Sequence, residues 1–255
     1  MITVETLEKL ALRRHTAVYP NILREYFQHV FLAELYKLPG SEKLLFKGDT
    51  ALRIIYGSPR FSEDMDFSLY GIGRNRIKIF VENLFLEVLT AVERIGITVE
   101  IGTKLGLTHG GYFAVATFTY LNYKPVRVEI NISARLAGIR RGLRGEVDSV
   151  VGDFVPAYTV IHLPQSEMVN EKIFGALLER RKPRDFYDLY FIMRKGMLLP
   201  SQKRRLAALK DTILRYAGDI DFRRELAAFL PSDQQPIIRD FAKVLTLEIS
   251  RQTGG

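Results

Sequence analysis

The chain has 255 residues, 47% hydrophobic and 26% charged, the composition of a folded globular protein with apolar material for one large or two modest domains. It contains no cysteine, which excludes disulfides, thiolate metal sites and thiol nucleophiles. The formal net charge of +8 and pI of about 9.6 point to polyanionic partners such as nucleic acid, although a solubilising surface accounts for the same charge. The opening MITVETLEKLALRRH carries acids and lacks an apolar core, and no run of about eighteen apolar residues occurs. Neither a signal peptide nor a membrane span is therefore expected, and the expected location is cytoplasmic.

Residues 5–37 carry two helical patterns, Leu7, Leu10 and Leu12 in the first and Ile22, Leu23, Tyr26, Phe27, Val30, Phe31 and Leu35 in the second. Pro39-Gly40 closes the second. In the stretch 44–66, LLFKGDTALRIIYGSPRFSEDMD, the apolar run Leu44, Leu45, Phe46 predicts a buried strand. Lys47-Gly48 breaks it, and Asp49-Thr50-Ala51-Leu52 reads as an N-cap followed by helix. A strand turning through glycine into a helix presents free N–H groups and a positive dipole end, which suits a phosphate. Asp64 and Asp66 then stand at alternate positions, so an extended backbone places them on one face and Met65, Phe67 and Leu69 on the other. Two neighbouring carboxylates repel unless a cation sits between them, and Mg²⁺ takes such oxygens while bridging substrate phosphates. Either signal alone is weak: most such turns only start a helix, and most Asp-x-Asp pairs are solvated strand ends. Together, one helix apart, they outline a candidate phosphate and metal site.

Gly71-Ile72-Gly73 reads as a turn, too short and too late for a dinucleotide fingerprint. A helix is expected over about 75–94, with Ile77, Phe80, Val81, Leu84, Val88 and Val92 as its buried stripe. Strands are expected over about 97–103, 112–121 and 126–133. In the last, Val126, Val128, Ile130 and Ile132 alternate with Arg127, Glu129 and Asn131, which a half-buried strand explains without chemistry. If that polar side shares a cleft with Asp64 and Asp66, Glu129 is the natural third carboxylate. The stretch RLAGIRRGLR clusters Arg135, Arg140, Arg141 and Arg144 in an expected loop, fit for a phosphate backbone or for solvent alone. A short apolar strand over 158–163 leads to Pro164, the expected boundary between an α/β domain with N-terminal helices (1–163) and a helical part contributing to the cleft (164–255).

From Gln165 two helices are expected, split at Lys182-Pro183. Met168, Val169, Ile173, Ala176 and Leu177 make the apolar stripe of the first, and Lys172 and Arg180 project within it. A cation on a core-directed face needs an anionic partner, unless it snorkels at the margin. In the second, Phe186, Leu189, Tyr190 and Met193 face inward, Asp185 lies at the stripe's edge and Asp188 falls farther round. The later helices look like packing elements, with Lys203, Arg204 and Arg205 on their exposed side. His15, His29, His109 and His162 have no ligand spacing and are assigned neither metal nor proton transfer.

Lys47-Gly48-Asp49-Thr50-Ala51-Leu52 followed by Arg60-Phe61-Ser62-Glu63-Asp64-Met65-Asp66-Phe67 resembles the KGGTxL…RxSxDxDF signature of the AbiEii/AbiGii (MenT-like) toxin family. That family belongs to the nucleotidyltransferase superfamily typified by DNA polymerase beta. Lys172 with Arg184-Asp185-Phe186-Tyr187-Asp188 resembles its later signature, a helix lysine followed by RDxxD. The match departs at Asp49, where the family has a second glycine. The resemblance implies an α+β fold, a mixed sheet flanked by helices with a mostly helical C-terminal part. It implies Mg²⁺ or Mn²⁺ on Asp64 and Asp66, a third acid on a neighbouring strand for which Glu129 is the candidate, and a nucleoside triphosphate on Lys47, Gly48, Asp49, Thr50 and Ser62. Lys172, with Arg180 or Arg184, would stabilise the triphosphate, and Asp185 would position Lys172 or the acceptor. The implied activity is nucleotide addition to RNA, plausibly tRNA, by a toxin with a separately encoded antitoxin. Nucleotidylation of a protein or small molecule, and a non-catalytic nucleic-acid or partner-binding role, remain the competing expectations.

Overall fold

Alternating apolar residues build the sheet that organises the first part of the chain. The computed structural model describes residues 2–136 and 144–254. The chain begins with α1 (Val4–Arg13) and α2 (Leu23–Leu35), then β1 (Leu44–Lys47) runs directly into α3 (Gly48–Ile54), and β2 (Met65–Leu69) follows. α4 (Ile77–Arg94) leads to β3 (Thr98–Ile101), β4 (Gly106–Thr108), β5 (Gly111–Thr119), β6 (Val126–Ser133), β7 (Glu146–Val150) and β8 (Tyr158–His162). The rest is helical: α5 (Gln165–Glu171), a π-helical stretch Lys172–Leu177, α6 (Leu178–Arg180), α7 (Pro183–Arg194), α8 (Pro200–Gly218), α9 (Arg223–Phe229) and α10 (Phe241–Thr253).

The strands lie in the order β3-β5-β6-β2-β1-β8-β7, with β4 also on β5. β1–β8 and β2–β6 are parallel and the other pairs antiparallel, so the sheet is mixed. One face carries the apolar set read from the alternation: Phe46, Met65, Phe67, Val128, Ile130 and Ile132 are all buried. α2 and α4 pack together, α2 on β6 and β8 and α4 on β3 and β5. α2 is buried almost all round, Arg24, Glu25, Gln28 and His29 included, whereas the spacing had marked only one apolar stripe.

The chain divides into two compact units, the residues up to Gly57 with those from Phe61 to Leu163, and Ser58–Arg60 with the chain from Pro164 on. The second unit is built on Met168, Ile173, Phe186, Leu189, Leu206, Ile213, Phe241 and Leu245. Phe222 and Phe241, with ring centroids 4.7 Å apart, tie the segment before α9 to α10.

Two local expectations change. The strand expected over 97–103 is the shorter β3, and an additional strand, β4, follows it beyond that range, the two pairing with opposite ends of β5. β7 was not foreseen, because Glu-Val-Asp-Ser-Val has only Val150 buried and lies at the sheet's edge among the described strands. Of the arginine-rich loop, Arg135 and Arg144 are exposed, while Arg140 and Arg141 lie outside the described residues.

Candidate functional site

The β1–α3 corner forms as its residue types require. Gly48 has φ +83°, a left-handed conformation that side chains resist. A Cβ added there would lie 2.3 Å from Asp66 Oδ2, so the missing side chain is what lets the corner lie against the carboxylate. Thr50, fully buried in α3, donates its hydroxyl to the backbone carbonyl of Asp64. Lys47 and Asp49 flank the glycine, half-buried.

Register places further polar residues beside Asp66. Lys47 pairs with Asp66 across β1–β2 and Asp66 with Asn131 across β2–β6, so the three stand abreast on the sheet face opposite Phe46, Phe67 and Ile130. Glu129, two residues before Asn131, shares that face and bonds Arg127 at 2.8 Å. Among the described residues no three histidine, cysteine or acidic side chains converge as a metal cluster. Asp64 and Asp66 suit a hard dication that draws its remaining oxygens from phosphates and water, an arrangement that one or two protein carboxylates satisfy. The corner beside Asp66, open only because residue 48 lacks a Cβ, fits that reading.

The irregular segment leading into β2 is held by side chains. Arg53 of α3 lies over the Phe61 ring at 3.7 Å. Gln28 Nε2 donates to the Ser62 carbonyl at 3.1 Å, and an Arg24 nitrogen lies 3.2 Å from Glu63 Oε1. Burial lowers Arg24 from its ordinary value, and Glu63 and then Asp64 oppose that shift. Glu25 holds Arg53 at 2.9 and 3.0 Å and Arg14 at 2.6 Å. Burial opposes the Glu25 charge, yet Arg53 and then Arg14 keep its carboxyl below the usual range. Ser62, expected among the nucleotide contacts, is buried.

In the second unit Lys172 begins the π-helical stretch and is buried. One partner is Asp188, at 2.9 Å, where Asp185 is the residue expected to position the lysine or the acceptor. Asp188 also takes Arg60 through contacts of 3.0, 2.8 and 3.0 Å. Burial disfavours the Asp188 charge, but Arg60 and Lys172 outweigh it and hold the carboxyl below its ordinary value. Asp185 instead accepts from the Lys182 backbone N–H at 3.2 Å, capping α7, and pairs with Arg180 at 2.5 Å. Arg184 Nε lies 3.4 Å from Glu225 Oε1, too poorly aligned for a hydrogen bond. On a regular helix Asp188 turns away from the centre of the stripe, so spacing favours Asp185, and the motif by itself gives Arg60 no task. The signal for both was there: a buried lysine needs an acid, and Asp188 and Arg60 are fixed positions of the two signatures.

The chain matches the family described as nucleotidyl transferase AbiEii toxin, type IV TA system, over residues 30–250. Among solved structures it resembles JHP933 from Helicobacter pylori, at 21% identity and a TM-score of 0.65, covering 92% of this chain and 93% of that one. It also resembles a proposed nucleotidyltransferase from H. pylori, at 18% identity and a TM-score of 0.61, covering 92% and 96%. The comparison with curated proteins gives no match. These two likenesses establish the fold, a mixed α/β nucleotidyltransferase fold. The family match spans most of the chain and includes both signatures, so the chain belongs to the AbiEii nucleotidyltransferase toxin family of type IV toxin–antitoxin systems and is a nucleotidyltransferase.

Proposed function

We propose that the protein transfers a nucleotide from a nucleoside triphosphate to an RNA acceptor, with tRNA the favoured class, and that its toxicity follows from this. The supporting observation is the contact geometry at Gly48, where a corner suited to phosphate lies directly against Asp66. In this reading Lys47, Gly48, Asp49 and Thr50 form the corner that meets the triphosphate, with Ser62 in the adjoining segment. Asp64 and Asp66 hold Mg²⁺ or Mn²⁺, which when bound neutralises charge on the phosphates. An RNA hydroxyl attacks the α-phosphorus, a new P–O bond forms, and the bond to the leaving pyrophosphate breaks. Glu129, on the same sheet face as Asp66, is the candidate to receive the hydroxyl's proton or to complete the carboxylate set. Within the second unit, phosphate charge falls to Lys172, which Asp188 holds in place, while Arg180, Arg184 and Asp185 fix the start of α7. A cognate antitoxin protein would restrain the activity, and the working location is the cytoplasm.

The test is to incubate the purified protein with Mg²⁺, each labelled nucleoside triphosphate in turn, and total tRNA. Label should enter RNA, and Asp64→Ala or Asp66→Ala should abolish it. Label in protein bands with RNA unlabelled would move the acceptor to a protein. No transfer with any of the four nucleotides would overturn the reading.

A further inference from the structure

Residues 61–64 lie outside any strand or helix, so no ladder of backbone hydrogen bonds holds them. Each of the four is instead gripped by a different side chain: Phe61 by Arg53, the Ser62 carbonyl by Gln28, Glu63 by Arg24, and the Asp64 carbonyl by Thr50. Arg24 and Gln28 are four apart on α2, one turn of a single helix face. Arg24 is also tied to β6, its Nε lying 3.4 Å from the Arg127 carbonyl. Buried polar groups on a core helix are costly unless they find partners, and here the partners are the residues leading into Asp64.

We propose that Gln28, Arg24 and Glu63 are positioning residues for Asp64, setting where its carboxylate stands and how strongly it holds a divalent cation. This rests on the reading that Asp64 is a metal carboxylate. Gln28 fixes the backbone two residues ahead of Asp64, and Arg24 fixes the residue next to it. Glu63 has a second task. The Arg24 guanidinium lies 3.2 Å from Glu63, the residue next to Asp64, so Glu63 takes up a positive charge that would otherwise oppose a cation at Asp64. The cluster thus acts on the metal through position and through charge.

The test measures Mn²⁺ affinity of the intact chain by electron paramagnetic resonance of free Mn²⁺, without nucleotide, together with metal-free thermal unfolding. Gln28→Leu, which leaves the Ser62 carbonyl without its donor, should weaken Mn²⁺ binding about tenfold, the usual scale for a group that orients a ligand. Glu63→Gln keeps the shape at a half-exposed position and should leave unfolding nearly unchanged while weakening Mn²⁺ binding several-fold. That variant keeps the test decisive if Gln28→Leu fails to fold. Mn²⁺ affinity within twofold of the unsubstituted chain in Glu63→Gln and in any folded Gln28→Leu would overturn the inference, leaving α2 a purely structural helix. If the unsubstituted chain takes up no Mn²⁺, the metal reading itself fails, and this inference with it.

Discussion

At Gly48 two constraints coincide, a φ of +83° and a Cβ position 2.3 Å from Asp66 Oδ2. Gly48→Ala should cost about 1–2 kcal/mol for the left-handed backbone alone. It should also displace Asp66, so nucleotide transfer should fall further than the shift in urea midpoint accounts for. A variant unfolding at a lower urea midpoint but transferring normally would show that the Asp66 contact is dispensable. His29 presents a different case. Burial pushes it down from 6.5 to about 4, and its Nδ1 is 2.8 Å from the Tyr158 hydroxyl. As pH falls the unfolded chain takes up this proton first, so the stability linked to His29 is intact above about pH 6.5 and is lost as pH drops towards 4. The loss across that window is on the order of 3 kcal/mol. Denaturant titrations from pH 7 to pH 4 should show the decline, and His29→Gln should flatten it.

Two short helical stretches of the second unit owe their position to ionic contacts. Asp188→Asn leaves Arg60 and Lys172 without their shared buried carboxylate and should cost about 3–5 kcal/mol in guanidinium unfolding. Asp185→Asn, which weakens one helix cap, should cost about 1 kcal/mol. Equal losses would contradict the ranking. This pair also shows what the sequence made legible. The β1–α3 corner, the acid-bearing strand β2 and the alternation of β6 were readable because period and turn chemistry are local. The place of Asp188 as a partner of Lys172 was not, because α7 buries Tyr187 and Asp188 in addition to the stripe that its spacing marks. Nor was the polar work of α2, whose Arg24, Glu25 and Gln28 meet partners far along the chain and look like an ordinary solvated face when read alone.

At the scale of the molecule, the net charge of +8 suits an acceptor made of phosphates. If RNA is that acceptor, log Kd for tRNA should rise linearly with log salt in a filter-binding series. A flat profile would assign the charge to solubility. β7 runs against this overall charge, since Glu146, Asp148 and Ser149 are exposed beside Val147, which is 65% exposed, at the sheet's edge among the described strands. Two copies meeting edge to edge about Asp148 would bring carboxylate against carboxylate, which is how acids deter fibril-like stacking of open edges. Glu146→Thr, which leaves the 3.0 Å contact of Asp148 with buried His162 in place, should turn a clear micromolar solution turbid on standing, visible as light scattering before any change in unfolding. On that outcome the acids at this margin would be a fence, keeping crowded neighbours apart where the backbone alone would invite them to zip together.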